Sequence, residues 1–184
     1  MDTELVVRAQ AGDEGAFERL AIASAERLHA VAYRILRDPD AAEDATQQAL
    51  LTMWQKLPAL RDPSRFEGWA YRTLVRICYA LSAESRRARL RIVPIVDREP
   101  AVHEDLSGVE EQQTFERVFG RLSLEQRAVV VLHYYLGLTL DEVADALDVS
   151  PGTARSRLSR ALKRMREILG PELGRAMPES SEVA

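Results

Sequence analysis

One stretch in the second half of the chain decides the fold, and it reads Leu138-Thr139-Leu140-Asp141-Glu142-Val143-Ala144-Asp145-Ala146-Leu147-Asp148-Val149-Ser150-Pro151-Gly152-Thr153-Ala154-Arg155-Ser156-Arg157-Leu158. Thr139, with Glu142 three residues later, is the pattern of a capping box at the start of a helix. Ser150 followed by Pro151 is typical of a second helix start, because serine caps a helix and proline favours its first position. Since only a short turn separates the two segments, the stretch predicts a helix-turn-helix.

The second helix of this motif has two different faces. Its apolar residues recur at helical spacing and are expected to face the core, namely Ala154, Leu158, Ala161, Leu162 and Met165. The opposite face is basic and free of acids, and the residues expected to contact DNA are Ser150, Thr153, Arg155, Ser156, Arg157, Ser159, Arg160 and Lys163. An ordinary amphipathic surface helix is the alternative. The two caps, the short turn and the basic face together favour DNA binding.

The composition of the whole chain favours an all-α globular protein. Its 184 residues are 46% hydrophobic and 29% charged, and the apolar residues recur with helical spacing rather than in strict alternation. The formal net charge of -4 is not the footprint of a nucleic-acid binder. Basic residues nevertheless concentrate at 86–91 and 155–166, so we expect local contact with DNA and a different partner for the acidic faces.

Other protein classes find little support in the sequence. Cys78 is the only cysteine, which excludes an intramolecular disulfide and favours a small buried side chain over a reactive thiol. The histidines lack spaced metal partners and no glycine-rich phosphate loop occurs, so we expect no enzyme, no catalytic residue, no metal and no cofactor. The N-terminus does not resemble a signal peptide and no apolar run approaches a membrane span, which favours a cytoplasmic protein without membrane insertion.

The pattern along the chain predicts two small helical domains joined by a linker. Three helices are expected in the first half, from Asp13 to Ile35, from Asp40 to Leu57, and from Arg65 to the arginine cluster. Proline, glycine and acids then interrupt the helical pattern. Four helices are expected in the second half, at about 109–121, 124–136, 140–147 and 151–169. The predicted organisation is a first domain at 1–91, a linker at 92–110, a helix-turn-helix domain at 111–170 and a flexible tail at 171–184.

The third helix combines aromatic and basic residues although aromatic residues are only 6% of the chain. Aromatic rings stack on unpaired bases while arginines hold the backbone of a single strand. The residues with which this helix would bind a melted strand are Trp69, Arg72, Arg76, Tyr79, Arg86, Arg87 and Arg89. In the alternative interpretation the aromatic residues belong to the core and the arginines form a solvated helix end.

Together the two halves resemble the small bacterial sigma-70 type factors of the extracytoplasmic-function (ECF) group. The first half carries the resemblance in Asp38-Pro39-Asp40-Ala41-Ala42-Glu43-Asp44-Ala45-Thr46-Gln47-Gln48-Ala49-Leu50-Leu51-Thr52-Met53-Trp54 and in Phe66-Glu67-Gly68-Trp69-Ala70-Tyr71-Arg72. The second half carries it in Leu122-Ser123-Leu124-Glu125-Gln126-Arg127-Ala128-Val129-Val130-Val131-Leu132 and in the helix-turn-helix, which ends in Ser156-Arg157-Leu158-Ser159-Arg160-Ala161.

The resemblance implies a specificity subunit that binds core RNA polymerase and directs it to promoter DNA. The third helix would open and hold the -10 element, and the helix-turn-helix would read the -35 element. The second helix would dock on the polymerase clamp through Asp40, Glu43, Asp44, Gln47, Gln48, Leu51 and Trp54. From the residues alone, a solvated acidic helix is the alternative. An anti-sigma factor as partner is implied by the resemblance and by no residue here.

The third helix departs from the family pattern at two positions. The family usually has an asparagine and then an aspartate where alignment from Trp69 places Arg76 and Ala80. We therefore expect a rearranged melting face or a different base preference at the -10 element. A stand-alone helix-turn-helix regulator is the alternative function, and binding to core polymerase separates the two.

Overall fold

A computed structural model of the chain describes residues 2–91 and 117–173, the side chains of 88–91 and 171–173 excepted. These residues form helices and connecting turns, and no strand occurs among them. The described residues divide into two compact units, the first holding 2–91 and the second most of 117–173. The all-α prediction is confirmed.

The first unit consists of four α-helices, and two short 3-10 turns lie between the last two of them. The helices are α1 (Thr3–Gln10), α2 (Glu14–Leu36), α3 (Pro39–Lys56) and α4 (Phe66–Arg91), and the 3-10 turns are Leu57–Ala59 and Pro63–Arg65. Since only three helices were predicted here, α1 is a correction to that count.

Aspartate side chains begin three of these helices. Asp2, Asp13 and Asp38 each accept a hydrogen bond from a backbone N–H of the following turn, at 2.9–3.0 Å. Pro39 occupies the first turn of α3, where its missing N–H costs nothing. Arg37 ends α2 in the left-handed region with φ 59°. The start at Asp13 was predicted from the sequence, whereas α3 begins one residue before its predicted start at Asp40 and is capped by Asp38.

The core of the first unit lies between α2, α3 and α4. Leu20, Leu28, Ile35, Met53 and Leu74 are among its fully buried side chains. Truncating one such residue to alanine costs about 2–5 kcal/mol, because transfer energy is lost and a cavity remains. The three helices thus form a stable platform for the residues on their outer faces.

The second unit is built around three further helices. Residues 117–120 are helical, α5 (Leu124–Val130) continues as a π-helical turn (Val131–Tyr135), and α6 (Leu140–Leu147) and α7 (Pro151–Leu173) follow. The backbone of α7 is interrupted at Gly170, with φ 77°, one residue after its predicted end.

The π-helical turn is a difference from the single helix predicted at 124–136. The N–H of Leu136 donates to the carbonyl of Val131 at 3.1 Å, and that of Leu138 donates to the carbonyl of Leu132 at 3.2 Å. The ring Nδ1 of His133 lies 2.7 Å from the carbonyl oxygen of Leu138. The widened last turn of the helix is thus accompanied by a contact between the His133 ring and the backbone just after the turn.

Some predictions lie outside the described residues: the linker at 92–110, most of the helix at 109–121, and the tail beyond 173. Within the part of the chain that the structure describes, no helix has both the length and the apolar character to cross a membrane.

Candidate functional site

The predicted capping box at the start of α6 is present. The backbone N–H and the hydroxyl of Thr139 both donate to Oε2 of Glu142 at 2.8 Å, and the N–H of Glu142 donates to the threonine hydroxyl at 3.3 Å. Because the Thr139 backbone and hydroxyl donate to this carboxylate, the pKa of Glu142 lies below its ordinary value. The start of the first motif helix is therefore fixed by reciprocal bonds.

The turn between α6 and α7 is a Schellman motif. Asp148 lies in the left-handed region with φ 56°. The N–H of Val149 donates to the carbonyl of Ala144 at 3.0 Å, and that of Asp148 donates to the carbonyl of Asp145 at 3.4 Å. Val149 is only half-buried. The backbone hydrogen bonds therefore define this turn.

Ser150 begins α7 as predicted. Its hydroxyl accepts from the N–H of Thr153 at 3.2 Å and lies 2.9 Å from the threonine hydroxyl. The residues predicted to face inward are all buried, and they are Ala154, Leu158, Ala161, Leu162 and Met165. Caps at both helix starts and a buried stripe along α7 together hold the opposite face of α7 outward.

None of the residues predicted on that outer face enters the core. Thr153 and Arg157 are half-buried, and the others are exposed: Ser150, Arg155, Ser156, Ser159, Arg160 and Lys163. The hydroxyl of Ser156 donates to the carbonyl of Thr153 at 3.0 Å, and the Arg160 Nε donates to the carbonyl of Ser156 at 3.2 Å. Arg155, the fifth residue of α7, is exposed near the N-terminal end of the helix.

A second candidate surface lies along α4. With about 100° of rotation per residue, Trp69, Arg72, Arg76 and Tyr79 fall within about a quarter of the helix circumference. Arg76 is exposed and the other three are half-buried, whereas Leu74 and Cys78 on the opposite side are buried. The arrangement presents rings beside cations, as a single strand requires.

The aromatic residues of α4 divide between this surface and the core. Trp69 packs against Phe66 with ring centroids 6.1 Å apart, and Phe66 is buried. Tyr71 is only 7% exposed, which makes it a core residue, as the alternative interpretation held for it. Arg86 and Arg87 are exposed at the far end, and the side chain of Arg89 lies outside the described residues.

The third candidate surface is the outer side of α3. The seven residues predicted there are all exposed: Asp40, Glu43, Asp44, Gln47, Gln48, Leu51 and Trp54. The opposite side is buried through Ala42, Ala45, Ala49 and Met53. α3 thus has a buried apolar side and an exposed, largely polar outer side.

Two apolar side chains stand out on this acidic surface. Leu51 is 58% exposed and Trp54 is 37% exposed. The Trp54 ring packs on Phe17 of α2 with centroids 4.8 Å apart, which holds it in place. Gln47 donates to Glu43 at 3.1 Å. Preorganised apolar side chains within a polar rim are typical of a protein-binding surface.

The sequence analysis missed α1 and the residue at its end, Gln10. The Gln10 side-chain amide donates to the carbonyls of Leu57 at 3.1 Å and Leu60 at 2.6 Å, in the connection between α3 and α4. No local signal marks a glutamine for such a role, because its partners lie far away in the sequence.

The remaining reactive groups form no further site. The Cys78 thiol is buried, and burial raises its pKa to about 12, so it remains protonated. Throughout residues 2–91 and 117–173, no group of three or more histidine, cysteine or acidic side chains is arranged to hold a metal ion.

Two family models match the chain. The model described as Sigma-70 region 2 matches residues 21–88, which include α3 and all of α4 except its last three residues. The model described as Sigma-70, region 4 matches residues 112–165, which include the helix-turn-helix. The three candidate surfaces lie within these two matches.

Named relatives and a solved structure agree with these matches. The chain is 32% identical over 170 residues to the ECF RNA polymerase sigma factor SigM of Mycobacterium tuberculosis H37Rv, covering 92% of this chain and 85% of that protein. It is 27% identical over 187 residues to the RNA polymerase sigma-H factor of Pseudomonas aeruginosa, covering 95% and 97%. The sigma factor RpoE in complex with the anti-sigma factor NepR from Bartonella quintana is similar with a TM-score of 0.73 and 25% identity, covering 83% and 96%.

Proposed function

This chain belongs to the sigma-70 family as a sigma factor of the ECF type, and from that premise we propose how its surfaces divide the work of initiation. The protein binds core RNA polymerase and directs promoter-specific transcription initiation. In our proposal α3 binds the polymerase, α4 binds the melted -10 element and α7 reads the -35 element.

One observation carries the DNA-binding part of the proposal. The helix-turn-helix within the region 4 match has caps at both helix starts, and its second helix exposes a basic face. Such a helix fits the major groove, where side chains near its N-terminus meet base edges and later cations meet phosphates. Arg155 and Thr153 are the base-reading candidates, and Arg157, Arg160 and Lys163 the phosphate contacts.

The polymerase-binding part rests on the outer side of α3, where Leu51 and Trp54 are exposed among acids and amides. Buried apolar anchors supply most of the binding energy of a protein interface, and surrounding charges steer the encounter. In the same proposal, the first domain spans 1–91, a linker 92–110, the second domain 111–170 and a tail 171–184, in agreement with the two family matches.

The remaining assignments follow from the same premise. The chain supplies no catalytic group, since RNA synthesis belongs to the polymerase. It acts in the cytoplasm, where polymerase and chromosome are found together. An anti-sigma factor holds it inactive, as expected from the similar sigma factor that was solved in complex with one.

Run-off transcription with purified core polymerase and a pool of promoters tests the proposed function. The wild-type chain should bind core polymerase and yield transcripts that share a -10 and a -35 sequence. A Leu51→Glu variant should lower the affinity for core polymerase about tenfold or more, because a charge replaces an apolar anchor. Its thermal stability should not change, because Leu51 is exposed.

Ile22→Glu is the matched control. Ile22 lies on α2 and is 69% exposed, so it receives the same chemical change away from the proposed surface. We expect its affinity for core polymerase to stay within about twofold of the wild type. A wild-type chain that binds promoter duplex but not core polymerase would instead be a stand-alone helix-turn-helix regulator.

A further inference from the structure

The connection between α3 and α4 is held from outside by one side chain. The Nε2 atom of Gln10 donates to the carbonyl oxygens of Leu57 at 3.1 Å and of Leu60 at 2.6 Å. These two carbonyls stand at the two ends of a 3-10 turn that is itself closed by a bond from the Leu60 N–H to the Leu57 carbonyl at 3.0 Å. Gln10 therefore clamps the turn as a unit.

The chemistry of this clamp requires an amide or another double donor. Both partners are carbonyl oxygens, which only accept, so the amide nitrogen and not its oxygen must face them. The bonds are partly buried, and a side chain without N–H groups would leave two carbonyls without these partners. A glutamate in the same place would direct a carboxylate at two acceptors.

The helix that carries Gln10 is itself firmly attached. Val6 and Ala9 of α1 are buried. The Arg8 guanidinium donates to Asp13 at 2.6 and 3.0 Å, and the same carboxylate accepts from the N–H of Ala16 to cap α2. These contacts fix α1, and with it Gln10, against the start of α2.

The clamped turn lies between the two surfaces assigned above to different partners. It follows Lys56 at the end of α3, and α4 begins only nine residues further on, at Phe66. Leu57 is buried at the base of the turn, whereas Pro58 and Ala59 at its tip are exposed. The connection therefore joins the helix assigned to polymerase binding to the helix assigned to the melted strand.

We propose that Gln10 is a positioning residue for promoter opening, which acts through the α3–α4 connection and touches neither polymerase nor DNA. The proposal rests on the proposed function, because it assumes that α3 binds polymerase and α4 binds the melted strand. Loss of the two bonds lets the connection move, so the strand-binding face of α4 is held less well while the outer side of α3 is unchanged.

The test separates polymerase binding from promoter opening. Gln10→Leu removes both donors at similar size, Gln10→Glu removes them with an isosteric acid, and Gln10→Lys retains a multiple donor. Affinity for core polymerase is measured by fluorescence anisotropy. Opening is measured in the holoenzyme, by permanganate reactivity of thymines in the -10 region of a promoter that the wild type transcribes. Glu26→Leu, at an exposed position on α2 away from the outer side of α3, is the control.

We expect Gln10→Leu and Gln10→Glu to reduce opening about tenfold, because each variant loses two partly buried hydrogen bonds that hold the connection. Their affinity for core polymerase should stay within about twofold of the wild type. Gln10→Lys should restore most of the opening, and Glu26→Leu should resemble the wild type. Circular dichroism at the assay temperature establishes whether each variant is folded. If Gln10→Leu does not fold, the comparison of opening with polymerase affinity is made with Gln10→Glu.

Opening at the wild-type level in Gln10→Glu overturns the proposal. So does an equal loss of polymerase affinity and opening, because a purely structural role lowers both with the folded fraction. A wild-type chain that opens no promoter together with core polymerase contradicts the proposed function itself, and the role of Gln10 falls with it.

Discussion

Arg155 and Thr153 lie in the first two turns of α7, and the exposure of their side chains differs. Arg155 is exposed, whereas the Thr153 hydroxyl lies 2.9 Å from that of Ser150, which caps the helix. An exposed guanidinium at this position can form the bidentate contact that arginine makes with guanine. We therefore expect Arg155 to contribute more to base recognition than Thr153 does.

Arg155→Ala should lose discrimination at one position of the -35 element. A bidentate contact discriminates by about 1–3 kcal/mol, which corresponds to roughly a 5- to 150-fold preference for one base. Band-shift titrations of the variant against duplexes substituted at each -35 position measure the effect. An equal loss of affinity on every duplex would mean that Arg155 contacts phosphate and reads no base.

At the level of the helices, α6 depends on its capping box more than on its length. It has only eight residues, and an isolated helix of that length is marginal in water. The Thr139–Glu142 bonds satisfy its first backbone donors, and buried Val143 and Leu147 attach it to the core. The orientation of α7 for DNA binding therefore depends in part on two exposed polar side chains.

Thr139→Ala should destabilise the second unit by about 1 kcal/mol, the usual cost of a lost N-cap. Thr139→Ser should retain most of that stability, because the hydroxyl remains. Hydrogen exchange of the α6 amides measures the change for this helix separately from the first unit. Unaltered protection of α6 in Thr139→Ala would show that tertiary packing alone fixes the start of the helix.

The capping box also makes the stability of α6 depend on pH. The folded pKa of Glu142 is lowered from its ordinary value of 4.5, first by the backbone bond and then by the hydroxyl bond of Thr139. The resulting stabilisation is fully present above the unfolded pKa and is lost as the pH falls through the folded pKa. In Glu142→Gln, the protection of α6 should lose this acid-dependent component.

Across the whole molecule, the charges are separated rather than balanced. The net charge of -4 opposes binding to DNA in general, while α7 presents its basic face locally and α3 its acidic one. Long-range repulsion and short-range attraction both weaken as salt increases. The contacts of single cations with phosphate therefore appear most clearly in the salt dependence of binding.

Lys163→Ala should weaken binding to every duplex alike and reduce the slope of log affinity against log salt by about one counterion. Titrations at several salt concentrations, with Arg155→Ala beside it, separate a phosphate contact from a base contact. A Lys163→Ala variant whose loss depends on the -35 sequence would place this lysine at a base edge instead.

The helix-turn-helix, the caps at Asp13, Thr139 and Ser150 and the buried stripe of α7 could all be predicted from the sequence. These features depend on contacts within one or two helical turns, so residue spacing is enough to predict them. The family resemblance then indicated roles for the exposed sides, which the chain's own residues left open between binding and mere solvation.

Three features could not be settled from residue spacing and were found in the folded structure: α1, the burial of Tyr71 in the core, and the bonds from Gln10 to the α3–α4 connection. A helix of eight residues is unstable alone, and α1 is formed because Val6 and Ala9 are buried on the rest of the unit. Gln10 reaches partners that are 47 and 50 residues away in the sequence. Contacts at such separations leave no periodic pattern, because they arise only when packing brings distant segments together.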